Sequence, residues 1–323
     1  TYFEVAEYKP VEMQARVSSD RPSYVQGGAA RFEVGGDYLF GAPMNGATLT
    51  YRATRSETYW SVPNLDGFVT DAALHDQAHP EKAPSAGLLI SGEGALDAQG
   101  RFTQSVSLSL PGQRSPELVG FDAEVTDVSR QTVASSSTAI VHPADFYVGV
   151  KQPDPYFVTT PGVLRPDVVV ATPEGKRVVG QSVDLSLLRR RWSLVRETSG
   201  DRADSEMRVI DEKVASCSTK STAATATCDL NVSGSGYYVI LATAKDSKGR
   251  VTRAAVDSYA LGSGESYWQD DDTLRVELVA DKKQYKKGDV ARVLVKSPFT
   301  KAEALVTVEG NGVRSERRVV LEG

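Results

Sequence analysis

Few residues in this chain have the type and spacing to do chemistry. Cysteine occurs twice, as Cys217 and Cys228 in SCSTKSTAATATCD. The residues between them are small or polar and no third or fourth ligand lies nearby, so the pair makes a poor zinc site. Strand-like runs, DLNV and GYYVILATA, follow, and a disulfide pinning two neighbouring strands or a hairpin fits better. Closing so short a loop stabilises by roughly 2–3 kcal/mol in the chain-entropy account, and it implies an oxidising compartment, the periplasm or the cell exterior. Two unpaired thiols in a cytosolic protein are the alternative.

The motif HDQAH places His75 and His79 four residues apart, with Asp71, Asp76 and Glu81 around them. On a helix that spacing can hold a metal from one face. Pro80 and Pro84 follow at once, however, and no general-base Glu adjoins either His, so the expectation is a surface loop insertion and no metal. His142, beside Pro143, reads as a linker residue. No G-x-S-x-G elbow occurs, and GSGES at 262–266 lacks the strand-to-helix setting that an elbow needs. No catalytic residue and no cofactor are therefore expected. RRRW, Arg189 to Trp192, reads as the charged edge of a strand that discourages sheet-to-sheet pairing. ETSGDRADSEMRVIDEK (197–213) reads as a solvated loop or hairpin without EF-hand spacing. QDDDT reads as a charged linker, with Trp268 packing at a domain junction.

The elements that must carry these residues follow from bulk properties and punctuation. At 323 residues the chain is too long for one ordinary core. Hydrophobic and charged contents of 40% and 24% are those of globular protein. A net charge of −5 gives no reason to expect nucleic acid or an anionic membrane as partner. No apolar run reaches the length of a transmembrane helix. The chain opens on Thr1-Tyr2-Phe3 in mid-pattern, without initiator Met or signal peptide, and is expected to be a piece of something longer.

Phrases recur. SDRPSYVQGGAARFEV from Ser19 is repeated 261 positions later as ADKKQYKKGDVARVLV. Gly41, Gly46, Leu49, Tyr51 and Arg55 are repeated at an offset of 134 by Gly175, Gly180, Val183, Leu185 and Arg189. Asp97, Gly100, Arg101 and Thr103 are repeated at an offset of 149 by Asp246, Gly249, Arg250 and Thr252. Units of about 120–140 residues explain all three. Each unit is built of short runs with period-two alternation, such as ARFEVGGDYLF and RFTQSVSLSL, punctuated by Gly, Asn, Asp and Pro. That pattern is all-β, in antiparallel sandwiches. In the repeated corner Asp20 and Asp281 end a strand, and Tyr24 and Tyr285 lay a ring across the sandwich edge with the hydroxyl hydrogen-bonded. Gly27 and Gly288 supply the backbone freedom for the turn.

At DKKQYKKGDVARVLVKSPFTKAEALVTVEGNGV the chain resembles a macroglobulin domain of the alpha-2-macroglobulin family, most closely its bacterial branch. YFEVAEYKPVEMQARVSSDRPSYVQGG and SGSGYYVILATAKDSKGR resemble earlier domains of the same proteins. The resemblance implies tandem fibronectin-III- or immunoglobulin-like sandwiches at 1–144, 145–263 and 264–323, the last incomplete. It implies a protease trap, in which bait cleavage triggers a rearrangement that encloses the attacking protease. The reactive Cys-Gly-Glu-Gln thioester of many members is absent, because Cys217 is followed by Ser-Thr-Lys and Cys228 by Asp-Leu-Asn. The implied role is a non-catalytic scaffold whose partners are target proteases, through the parent, and other domains of the parent chain. Periplasm or cell envelope is the implied location, with membrane contact only through a lipid anchor outside this piece. The competing class is a tandem sandwich module of a surface adhesin or polysaccharide-binding protein.

Overall fold

The computed structural model describes residues 12–79, 86–199, 202–262, 276–297, 299 and 301–322, with side chains left aside at 194–199, 202–207 and 322. Its strands divide into two units. The first comprises Thr1–Ser61 and Lys82–Asp145, and the second comprises Val62–Glu81 and Phe146–Gly323.

The first unit contains β1 (Met13–Ser19), β2 (Ser23–Val25), β3 (Ala29–Tyr38), β4 (Thr48–Glu57), β5 (Gly87–Ala95), β6 (Arg101–Ser107), β7 (Glu117–Thr126) and β8 (Thr132–His142). A sheet in the order β2-β8-β7-β4-β5 packs on one in the order β1-β3-β6. Alternation along β7 buries Val119, Phe121, Ala123 and Val125, as period-two patterning requires of a sheet with one wet face. Phe32 of the facing sheet stacks on Phe121 with ring centroids 4.8 Å apart. Gly120, which argues against a helix at SPELVGFDAEVTD, lies inside β7.

The second unit contains β9 (Tyr147–Val150), β10 (Phe157–Thr159), β11 (Gly162–Leu164), β12 (Val168–Ala171), β13 (Ser182–Ser199), β14 (Arg202–Lys220), β15 (Leu230–Val232), β16 (Gly236–Lys245) and β17 (Val251–Leu261). Its main sheet runs β10-β17-β16-β13-β14, opposite the pairs β9-β12 and β11-β15. The two five-stranded sheets thus have the same plan, strand for strand. In each, a three-residue strand pairs in parallel with the last long strand, β2 with β8 and β10 with β17. These parallel edges depart from the purely antiparallel expectation. Strands so short carry no pattern from which direction can be read.

Unlike β7, β16 is buried on both faces. Tyr238, Ile240, Ala242 and Ala244 enter the sandwich core, while Tyr237 and Val239 point outward into a second cluster with Leu188, Ala255 and Tyr259. Two further pieces of chain cover that outer face. One is the stretch around Ala72 and Leu74, which includes the short helix α1 (Ala73–Asp76). The other is the hairpin of β18 (Glu277–Ala280) and β19 (Val293–Lys296), which contributes Val279 and Leu294. A second hairpin, β20 (Lys301–Gly310) with β21 (Gly312–Glu322), follows.

The sequence repeats are repeats of turn chemistry. Asp97 Oδ1 accepts from the amides of Gln99 and Arg101 at 2.9 and 2.8 Å. Asp246 Oδ1 accepts from Lys248 and Arg250 at 2.9 and 3.0 Å. In both turns the residue three places on is a glycine with positive φ, +70° at Gly100 and +79° at Gly249. A third copy sits between β7 and β8. Asp127 Oδ1 accepts from Ser129 and Gln131 at 2.8 and 2.9 Å, but the left-handed position belongs to Arg130, at φ 63°. An L side chain there costs about 1–2 kcal/mol, part of which is offset because glycine loses more entropy on folding. Arg130→Gly should therefore raise the unfolding free energy by about 0.5–1 kcal/mol, visible as a higher midpoint in chemical denaturation. A lower midpoint would mean that the Arg130 side chain contributes more than its backbone costs.

Candidate functional site: corners, a disulfide and a histidine–carboxylate cluster

The two repeated corners are alike nearly atom for atom. At the first, Asp20 Oδ1 accepts the Tyr24 hydroxyl and the Arg31 amide, the latter at 3.0 Å, and the Arg21 amide donates to the tyrosine oxygen at 3.2 Å. At the second, Asp281 Oδ1 accepts Tyr285 Oη at 2.5 Å and the Arg292 amide at 3.0 Å, and the Lys282 amide donates to Tyr285 Oη at 3.2 Å. Gly27 and Gly288 hold φ at +88° and +99°. The tyrosine hydroxyl is the main cause holding each aspartate below its ordinary value of 3.8, with backbone amides adding and burial opposing.

Cys217 and Cys228 are joined in a disulfide, with Cα atoms 6.1 Å apart. The bond ties β14 to the segment entering β15. Within RRRW, Arg189 and Arg190 are not at an edge, since β13 pairs there with both β16 and β14, whereas Arg191 and Trp192 run beyond the β16 pairing and are held by β14 alone. The charged run expected as a loop or hairpin is a hairpin, flanked by the end of β13 and by the 19-residue β14. The residues at 200 and 201 lie outside those described, as do GSGES beyond Gly262, QDDDT, Trp268, Pro80, Glu81, Pro84 and Pro298. His142 is no linker residue. It ends β8, is 2% exposed, and meets the Trp60 ring edge-on at 5.1 Å.

HDQAH lies on the stretch that covers the second unit's sheet, and that stretch is firmly attached. Val69 and Val150 exchange backbone hydrogen bonds at 2.9 Å. The Ala255 amide donates to the Asp71 carbonyl at 2.9 Å, and Asp71 Oδ1 accepts the Ala73 amide at 2.9 Å, opening α1. Gly175 has a reason beyond its turn, since a Cβ there would lie 2.2 Å from the Pro63 carbonyl oxygen. We call residues 62–79 the strap.

The strap ends in a polar cluster. Arg190, in mid-sheet on β13, grips Asp211 of β14 with two parallel bonds, Nε to Oδ1 at 2.8 Å and Nη2 to Oδ2 at 2.7 Å. Both side chains are about 5% exposed or less. The remaining arm of Arg190 donates to the Leu74 carbonyl at 3.0 Å. His79 Nε2 lies 2.8 Å from Asp211 Oδ2. Burial pushes the Asp211 carboxyl up, but its bonds from Arg190 and His79 outweigh this and hold it below the ordinary range. An ionised carboxylate can only accept, so His79 carries a hydrogen on Nε2. His75 Nδ1 lies 3.0 Å from Asp76 Oδ1, whose other oxygen accepts Arg253 Nη2 at 2.8 Å. The two imidazoles are 4.8 Å apart. His75, His79 and Asp211 each offer a ligand atom, all within 4.8 Å of one another. HDQAH therefore belongs to a built cluster, where a surface loop insertion was expected. Asp211, which completes it, stands 132 residues away and carries no mark in the sequence.

Comparison with known proteins places these features. Residues 12–143 match the family model described as the bacterial alpha-2-macroglobulin MG5 domain. An alpha-2-macroglobulin homolog of Nostoc is 28% identical over 312 residues, covering 95% of this chain and 16% of that protein. Residues 12–143 thus carry a domain of the bacterial alpha-2-macroglobulin MG5 type, and the chain along nearly its whole length is similar to a bacterial alpha-2-macroglobulin homolog. Salmonella alpha-2-macroglobulin reacted with methylamine shares the fold at a TM-score of 0.54 and 20% identity, over 99% of this chain and 21% of that one. The native conformation of Escherichia coli alpha-2-macroglobulin gives 0.53 over the same shares, also at 20% identity. The chain thus spans about one sixth of its bacterial macroglobulin relative and about one fifth of the solved structures.

Two outcomes follow. Removing the Tyr285 hydroxyl removes the main cause of the Asp281 shift, so in Tyr285→Phe the Asp281 carboxyl should titrate closer to 3.8, as followed by NMR. A depressed folded pKa contributes stability that is present above the unfolded value and lost as pH falls through the folded one. The stability gap between Tyr285→Phe and wild type should accordingly close in acid. Asp211→Ala leaves buried Arg190 without its counter-charge and should destabilise by about 3–5 kcal/mol, read from thermal or denaturant unfolding.

Proposed function

We propose that this chain is scaffold in a protease-trapping inhibitor, working through the larger protein whose length it partly spans. One observation carries the reading. Two sandwiches with the same sheet plan follow one another in a chain whose residues 12–143 match the bacterial alpha-2-macroglobulin MG5 domain and which is similar along nearly its whole length to a bacterial alpha-2-macroglobulin homolog. The two cysteines are spent on a disulfide and neither begins a Cys-Gly-Glu-Gln thioester. The domains act as stiff bodies that position bait and thioester regions elsewhere in the parent, and they move as bodies when the bait is cut.

Targets are endopeptidases of broad specificity, met by the parent and not by this piece alone. The disulfide supports an oxidising location. Periplasm or cell envelope suits it, with any lipid anchorage supplied outside this chain.

The test uses trypsin and elastase with a small chromogenic peptide and a large protein as substrates. Mixed with the 323-residue chain alone, both proteases should keep full activity on both substrates. Mixed with the parent, they should lose activity on the protein while keeping it on the small peptide. Trapping by the chain alone would overturn the scaffold role. A parent that spares cleavage of the large substrate would overturn the trap.

A further inference from the structure

We infer that His75, His79 and Asp211 form a binding site for a divalent transition metal of the zinc class, which clamps the strap to the edge of the second unit's sheet. The donor set comes first. Two imidazoles and one carboxylate suit zinc, nickel or copper, whereas calcium and magnesium want oxygen alone. Three protein ligands leave one position to water.

Geometry comes second. Around an ion with bonds near 2.0 Å, tetrahedral donors sit about 3.3 Å apart. The His79–Asp211 edge is 2.8 Å and the three donors already lie within 4.8 Å. Assembly needs His79 to back away by about half an ångström and His75 to close by about an ångström or more. His79 has the room, at 37% exposed, while Asp211 at 4% stays fixed by Arg190.

The groups behind the ligands are also those of a metal site. Ligating histidines donate their second nitrogen to a carboxylate or carbonyl, which fixes ring and tautomer. Asp76 takes that place for His75, and Arg253 fixes Asp76 in turn. Arg190 orients Asp211 and, through the Leu74 carbonyl, the strap backbone as well. His75 binds through Nε2, since Nδ1 faces Asp76. At His79 the hydrogen on Nε2 must move to Nδ1 by way of solvent, so the ion and the imidazole–carboxylate hydrogen bond exclude one another. The nearby charges of Asp76, Asp211, Arg190 and Arg253 cancel, so the two imidazoles carry much of the affinity.

The experiment titrates the tag-free 323-residue chain with zinc while following thermal unfolding, and with cobalt(II) while following visible absorption. Zinc should raise Tm saturably at one equivalent, and cobalt should develop the absorption of a site with nitrogen ligands. His79→Gln and His75→Gln should each abolish both signals. Asp76→Asn should weaken zinc binding by about 10–100-fold. Circular dichroism and metal-free Tm of each variant separate loss of the site from loss of the fold. Should a histidine variant fail to fold, chemical modification of wild-type histidines, slowed by zinc at His75 and His79 alone, gives the same answer. No cobalt absorption, an unchanged Tm, an equal response to calcium, or a response that survives in His75→Gln/His79→Gln would each overturn the site.

Discussion

A backbone leaving a β-sheet must find partners for amide hydrogens that the ladder no longer satisfies, and in this protein an aspartate side chain repeatedly supplies them. At Asp20 and Asp281 the carboxylate collects a tyrosine hydroxyl and the amide eleven residues on. At Asp97, Asp127 and Asp246 it collects the amides two and four residues on. Each set fixes where one strand ends and the next begins, and at Asp127, Asp246 and Asp281, where the flanking strands pair, it also fixes the register of the hairpin. Of these turns Asp127 and Asp246 stand at matching places, between the paired strands β7–β8 and β16–β17 of the two five-stranded sheets.

The second unit adds a demand that the first does not make. β16 presents apolar side chains on both faces, so its sheet needs cover outside as well as inside. The strap and the β18–β19 hairpin supply that cover from opposite directions along the chain. Lys296 lies 4.4 Å over the Tyr259 ring while its ammonium reaches Glu277 at 2.6 Å. Nearby, Tyr156 Oη donates to Asp257 Oδ2 at 2.5 Å and Gln152 to Oδ1 at 2.8 Å. The outer layer is thus apolar at its centre with its polar groups paired at the margin, in the manner of a permanent interface.

What could be read from the sequence follows this division. Corners and turns were legible because all their partners lie within about a dozen residues, and their letters recur. The disulfide was legible from spacing and neighbouring strands. Asp127 escaped because Arg130 stands where its sister turns have glycine. Parallel edge strands escaped because three residues hold no pattern. Arg189 and Arg190 read as an edge because their partner strand β14 is so charged that it resembles a loop. The histidine cluster escaped for a different reason. Its halves meet only through tertiary packing, and Asp211 is one acid among many until Arg190 and His79 single it out.

The strap also ties the second sandwich to the order of synthesis. Leu74 and the β17 residue Ala255, which both join the outer cluster, are 181 positions apart. At about 5–20 residues per second, the ribosome needs about 10–40 s to bring the second out after the first. Meanwhile β4 and β5, on either side of the strap, can already pair, while Ala72 and Leu74 have no sheet to lie on. The closing contacts of the later sandwich are therefore held by a stretch of chain made well before it, which must wait, uncovered, for its seat to be made.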